Sequence, residues 1–306
     1  MSQTRLPPVR VADAIKSTAR RLARAGLSYG HGTDNPWDDA AALVFHAGGL
    51  RHEEAPEAYE HRLDLAQRRA LRSLVERRIA ERMPSAYLTG VTWFAGHEMR
   101  VDARVLVPRS PIAELIAARF APFVEADRVG RILDIGTGSG CIAIACAHAF
   151  PMASVDASDI SADALAVARD NIARHGLEGR VRTVQADVYD GLPEGRYDII
   201  VSNPPYVPTA VVEALPAEYR HEPVLGLESG ADGLDHVRRI LEGRIGRLNP
   251  GGILVVEVGD TEENVARAWP GLPFLWLEFE HGGGGGAAVA TDDADDGDDD
   301  DDELII

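Results

Sequence analysis

The spacing of apolar positions changes near residue 85, and the change divides the chain. Before it, apolar residues recur every three or four positions. "VRVADAIKSTARRLARAG" ends at Gly26 and "WDDAAALVFHAGG" at Gly48 and Gly49, glycines suited to a left-handed helix exit. A third segment, "LDLAQRRALRSLVERRIAERMP", sets Leu71, Leu74, Val75 and Ile79 on one face and stops before Pro84. These stretches predict a small helical domain. Arg68, Arg69, Arg72, Arg77, Arg78 and Arg82 on the third helix read as its solvated face.

Past that point "TWFAGHEMRVD" predicts a hairpin turning at Ala95-Gly96. In "RVLVPRSPIAELIAARF", Ser110 as N-cap and Pro111 at the first helical position mark a helix start. From Arg131 onward short apolar runs alternate with helical patterns: "RILDIG", "ASVDASD", "VRTVQAD", "YDIIVSN" and "GILVVEVG". Such alternation predicts an α/β fold, a doubly wound parallel sheet with helices on both faces.

Composition narrows the setting. At 306 residues, with 45% hydrophobic and 26% charged residues, the chain can bury a large core. Two cysteines, Cys141 and Cys146, are too few for a disulfide framework or a cysteine zinc cluster. No apolar run approaches the roughly 18 residues that span a bilayer and the start "MSQTRLPPVR" lacks a signal core, so a cytoplasmic protein without membrane contact is expected. The net charge of -18 includes ten acids from "DDADDGDDDDDE", a run expected to be disordered. Even without it the balance is -8, which disfavours direct nucleic-acid binding and favours a basic protein partner.

The chemistry concentrates at strand ends. "LDIGTGSGCIAIA" follows the first strand of the alternating region and opens a helix, with Gly136, Gly138 and Gly140 spaced by two. Glycines permit a tight turn and close ligand approach, whereas an acid at the strand tip, Asp134, repels a dinucleotide pyrophosphate. That carboxylate better suits a cationic group such as the amino group of S-adenosylmethionine (SAM). The next strands lead to Asp159, placed to hydrogen-bond ribose hydroxyls, and Asp187, placed to accept from an adenine amine. The residues expected to hold SAM are Asp134, Gly136, Thr137, Gly138, Gly140, Asp159, Asp187 and Asn203.

"DIIVSNPPYVP" ends the fourth strand in a stiff, polar-tipped loop, because two prolines fix two φ angles and remove two donors. An amide nitrogen or a base exocyclic amine is a poor nucleophile, its lone pair being delocalised. Two acceptors taking its two N–H groups would hold it and aim that lone pair at a methyl carbon. The Asn203 side-chain oxygen and the Pro204 carbonyl can serve, with Pro205 stiffening the loop and Tyr206 pressing its ring on a planar target. A protein glutamine and a nucleic-acid adenine pose the same problem, so N6-adenine methylation stays an alternative, as does a SAM-binding scaffold without catalysis.

With these residues in hand, the chain resembles the glutamine N5-methyltransferases of proteins, through "DIGTGSG" and "NPPY", over about Arg82 to Gly283. "AYLTGVTWFAGHEMRVDARVLVPRSPIAELI" and "HEPVLGLESGADGLDHVRRIL" are most similar to the branch acting on the third large-subunit ribosomal protein; the release-factor branch, which usually carries "PRPDTE", is the alternative. The resemblance implies N5-methylation of a ribosomal-protein glutamine, with Gly136, Asp159 and Asp187 at cofactor positions and Asn203, Pro204, Pro205 and Tyr206 at the glutamine site. It implies a helical substrate-recognition domain over 1–85, a hairpin linker over 86–108, a Rossmann-like SAM-dependent methyltransferase domain over 109–291 and an acidic tail over 292–306. The chain departs from the family after "WLEFEHGG", where the last strand is expected near Ala287 to Thr291 and "EFEHGG" is placed to border the glutamine pocket.

Overall fold

The computed structural model describes residues 9–51, 57–272, 274–280 and 287–291, so the acidic tail lies outside the described residues. The N-terminal part comprises β1 (Val9–Arg10), α1 (Val11–Ala23), α2 (Pro36–Gly48), α3 (Glu57–Glu60), β2 (Arg62–Leu63) and α4 (Leu65–Ala80). Local chemistry sets the ends. Asn35 Oδ1 accepts from the amides of Trp37 and Asp38 ahead of Pro36 at the first turn of α2, and Gly49 closes that helix in the left-handed region at φ 63°. Asp64 and Gln67 form a reciprocal capping box on α4. Ile15, Leu22, Leu43, Val44, Leu63, Leu71 and Val75 make this domain's core.

One expectation fails here. The six arginines are not all solvated: Arg78 of α4 is 2% exposed, and Arg82, two residues past the end of that helix, is half-buried against a glutamate from the other domain. Arg78 is drawn inward because it pairs with Asp39 at 2.7 Å and donates to Ser28 O at 2.9 Å.

A short α5 (Ser85–Thr89) leads into the hairpin of β3 (Val91–Phe94) and β4 (His97–Arg100). Its turn falls at Ala95 and Gly96, both at positive φ, which matches the twist of the strands. Then come α6 (Ile112–Ala117), β5 (Arg131–Ile135), α7 (Cys141–Ala149), β6 (Ser154–Asp159), α8 (Ala162–Arg174), β7 (Val181–Gln185), β8 (Tyr197–Ser202), α9 (Thr209–Val212), α10 (Asp235–Gly243), β9 (Leu248–Glu257), α11 (Glu262–Ala268), β10 (Leu275–Leu277) and β11 (Ala287–Thr291). Helix α6 starts one residue later than the Ser110-Pro111 pattern predicts, and Ser110 Oγ accepts from the amide of Ile112.

The main sheet runs β10-β11-β9-β8-β5-β6-β7. The five strands from β9 to β7 are parallel, while β11 runs antiparallel between β9 and β10, so the expected last strand is present. Alternate residues face opposite layers: Ile132, Ile199, Val201, Ile253 and Val255 pack towards α6 and α7, whereas Leu133, Ile200, Leu254 and Val256 pack towards α10 and α11. Burial on both faces is why these strands read as continuous apolar runs. Strand order reverses between β5 and β8, which opens a crevice beyond their carboxyl ends. Both candidate loops leave from those two strands.

Candidate active site

The crevice is a cavity of about 800 Å³, a size usual for small-molecule sites. Its wall brings together Gly136, Thr137, Gly138, Asp159, Asp187, Asn203, Pro204, Pro205 and Tyr206, nine of the eleven residues singled out from sequence. Asp134 and Gly140 are not on the wall.

Parity explains Asp134. It shares a face of β5 with Ile132, so its side chain lies beneath the start of α7, fully buried. Its Oδ2 accepts from Thr137 Oγ1 at 2.5 Å and from the Ala143 amide at 3.1 Å, bracing the glycine loop from below. Its Oδ1 has no hydrogen-bond partner among the described residues, and burial pushes the carboxyl up to about 7. Gly140 has a packing role: at φ 82°, a Cβ there would lie 3.3 Å from the Cβ of Ala168 on α8. Gly136 and Gly138 also hold positive φ, yet a Cβ on either would meet nothing within 4 Å, so these two leave the floor of the cavity bare.

At the end of β6, Asp159 accepts from the amides of Gly138 and Ser161, each at 2.9 Å. Burial raises its carboxyl above the usual range, and these bonds oppose the rise. Asp187 lies two residues past β7 and is paired with Arg239 of α10 at 2.7 Å, a bond that holds its carboxyl below the usual range. Arg239 and His236 line the cavity beside it, and neither stood out in the sequence.

The NPPY loop is held from three sides. Ser202 Oγ donates to Ile135 O at 2.8 Å, tying the end of β8 to that of β5. Val207 bonds backbone to backbone with Leu227 and Ser229. The ring of Tyr206 lies over Gly259, where a Cβ would come within 2.4 Å of it. Its hydroxyl donates to Glu257 Oε1 at 3.2 Å, while Ser110 donates to Glu257 Oε2 at 2.5 Å. Glu257 is 4% exposed at the end of β9, and burial pushes its carboxyl up to about 7. A fourth strand thus ends in an acid, a signal present in "VVEVG" and overlooked. Among the described residues, neither the Asn203 carboxamide nor the Pro204 carbonyl has a hydrogen-bond partner, so both acceptors remain free at the wall.

Behind the loop, a 3₁₀ turn over Ala217–His221 reaches the helical domain. Glu218, fully buried, meets Arg82 at 3.0 Å and accepts from the Ser28 amide at 3.0 Å. Glu222 takes both arms of Arg109 at 2.7 Å and the Val107 amide at 3.1 Å, with His31 at 3.6 Å. Residues 278–280 are not on the cavity wall, and the remainder of "EFEHGG" lies outside the described residues.

Two family models match: the Methyltransferase small domain over residues 117–217 and the PrmC N-terminal domain over 13–90. A Bordetella pertussis protein named ribosomal protein uL3 glutamine methyltransferase is 47% identical over 267 residues, 87% of this chain and 90% of the relative. The chain belongs to the uL3 glutamine methyltransferase family. Relatives of the same name from Xylella fastidiosa and Neisseria meningitidis serogroup A are 47% and 46% identical, each over 89% of this chain and 87% and 90% of their own lengths. A solved structure, the hMettl16 catalytic domain with an RNA hairpin, covers 76% of this chain and 81% of its own at 17% identity and a TM-score of 0.52, a likeness of fold. Family membership makes the chain a methyltransferase and bears out the Rossmann-like sheet expected of it.

Proposed function

We propose that this chain transfers a methyl group from SAM to the side-chain amide nitrogen of a glutamine in ribosomal protein uL3. Family membership supports the reaction, and one observation carries its mechanism: two unengaged oxygen acceptors, Asn203 and Pro204, share a cavity with the glycine loop.

The residues present fit the cofactor. Bare, positive-φ glycines at 136 and 138 leave room over the loop, and Asp159 and Asp187 line the same cavity, where their carboxylates would accept from ribose hydroxyls and an adenine amine. Thr137 lines the same wall, while Asp134 and Gly140 serve the loop from behind. When bound, SAM supplies a methyl carbon already activated by its sulfonium. Asn203 Oδ1 and Pro204 O accept the two N–H bonds of the glutamine amide, which raises electron density on nitrogen and fixes the direction of its lone pair. The same oxygens face the positive charge that develops there. No base is needed beforehand, and the surplus proton leaves once the new bond has formed. The Tyr206 ring, locked by Glu257 and Gly259, packs on the planar amide.

Residues 1–85 form the domain that presents uL3, the hairpin region 86–108 links it to the catalytic domain over 109–291, and a ribosomal-protein substrate puts the work in the cytoplasm. Support comes from Glu218 and Glu222, which lead from the NPPY loop into the helical domain. Incubation with methyl-labelled SAM and purified uL3, followed by peptide mass spectrometry, tests the proposal. Label on one glutamine, absent from its Gln→Ala variant, is expected. Label in a release factor or in adenine instead, or none in uL3, overturns it.

A further inference from the structure

We propose that His97, His148 and His175 form a binding site for a divalent late first-row transition ion, separate from the methyl-transfer cavity. The three come from different elements: the first residue of β4, the last turn of α7 and the residue capping α8. One potential ligand atom from each lies within 4.8 Å of the other two. The rings of His97 and His148 stack with centroids 4.3 Å apart, and His175 meets them edge-on at 5.7 and 5.5 Å. None lines the cavity.

The chemistry of the donors selects the ligand. Three imidazoles from three elements offer three nitrogen donors and no carboxylate. His175 Nε2 lies 2.9 Å from the carbonyl oxygen of Glu98. A carbonyl can only accept, so Nε2 carries the proton and Nδ1 keeps its lone pair, the tautomer locking found behind metal-bound histidines. His97 and His148 make no hydrogen bond to any described residue, and their rings remain available. An all-imidazole donor set suits Zn²⁺, Ni²⁺, Co²⁺ or Cu²⁺ and not Mg²⁺ or Ca²⁺. Tetrahedral bonds of about 2.0–2.1 Å require donors about 3.4 Å apart, so the stacked pair must open by rotation of partly exposed side chains. Arg180 acts electrostatically on His148 and keeps the affinity below that of a site containing a carboxylate.

An ion here would clip the hairpin to the two helices that flank the glycine loop. Asn171 of α8 already joins those parts, donating to Arg100 O and to Ser139 O in the loop and accepting from the Arg100 amide. Zn²⁺ should therefore stabilise the fold without being required for methyl transfer.

The test uses the full chain stripped of metal with chelator, with Zn²⁺ titrated by calorimetry and followed by thermal melting. A hundredfold excess over Kd is worth about 2.7 kcal/mol, a rise in Tm of about 4 °C for a chain of this size. His97→Ala, His148→Ala and the triple alanine variant keep the acidic C-terminal run, so any ion held there appears equally in all. The expected result is one Zn²⁺ and a raised Tm in the parent chain, with both lost in the triple variant, metal-free Tm unchanged, and a Co²⁺ visible spectrum of nitrogen ligation only in the parent. No raised Tm in the parent, or equal binding in the triple variant, overturns the proposal.

Discussion

Asn203→Ala separates holding the amide from holding the fold. The wild-type carboxamide has no partner among the described residues, so its loss orphans no donor inside the protein. Folding stability should consequently move by no more than about 0.5 kcal/mol. The cavity loses one of the two acceptors proposed for the glutamine amide, and removing one preorganised polar partner of a reacting group costs about 10²–10³ in kcat, or roughly 2.7–4 kcal/mol. The glycine loop and Asp159 are untouched, and SAM affinity should stay nearly constant. Three measurements suffice: thermal melting, calorimetric SAM binding, and single-turnover transfer of labelled methyl to uL3. A variant that folds, binds SAM and still turns over near the wild-type rate would refute the acceptor role. Loss of SAM binding in parallel with turnover would instead place Asn203 mainly in the cofactor site.

Asp159→Ala removes a carboxylate that braces the Gly138 and Ser161 amides and is proposed to receive ribose hydroxyls; calorimetry should show SAM binding weakened by about 1.5–3 kcal/mol. Arg78→Met leaves Asp39 and Glu218 buried without their shared cation, and denaturant unfolding should report a loss of about 3–5 kcal/mol; a loss under about 1 kcal/mol would contradict the ion pairing. Glu257 has a folded pKa of about 7, above its ordinary value, so the folded protein binds the extra proton between those limits and stability falls as pH rises through that window. The fall, on the order of 3 kcal/mol, should be absent from the wild-type minus Glu257→Gln difference only if Glu257 is already ionised in the fold, which a melting series from pH 5 to 8 would show. His31, pushed down to about 4 by burial, works in the opposite direction, so the difference between variants is the quantity to measure.

The parts of the site readable from sequence share one property: each is local. The glycine loop, Asp159 and NPPY follow strands whose apolar runs announce themselves, and a parallel sheet forces such loops onto one edge. Asp134 shows where the rule stops. Its position at a strand tip was legible, but whether its carboxylate entered the cavity or propped the loop depended on strand parity and on α7 supplying the Ala143 amide. Arg78 erred for a similar reason. On a helical wheel it falls on the apolar face, i+7 from Leu71 and i+3 from Val75, so its place was legible; what the sequence did not show is that Asp39, from α2, and Glu218, some 140 positions on, supply the charges that let an arginine stay there.

Those long-range pairs bear on specificity. A bare NPPY loop could present its two acceptors to any planar amine. In this chain the loop continues into Glu218 and Glu222, whose partners Arg82, Ser28 and His31 belong to the helical domain while Arg109 precedes the Ser110 that holds Glu257. Two sets of polar contacts, Tyr206–Glu257–Ser110 and Arg109–Glu222–His31, are thus joined through the adjacent residues Arg109 and Ser110, and their carboxylates are buried and poorly screened by solvent. A docked protein that shifts the helical domain must shift these sets, and with them the ring that packs on the target. On the proposed function, selection of a protein glutamine over a free amine would then be set through this coupling to the helical domain, which contributes no residue to the cavity wall itself, rather than by any contact made by Asn203 or Pro204.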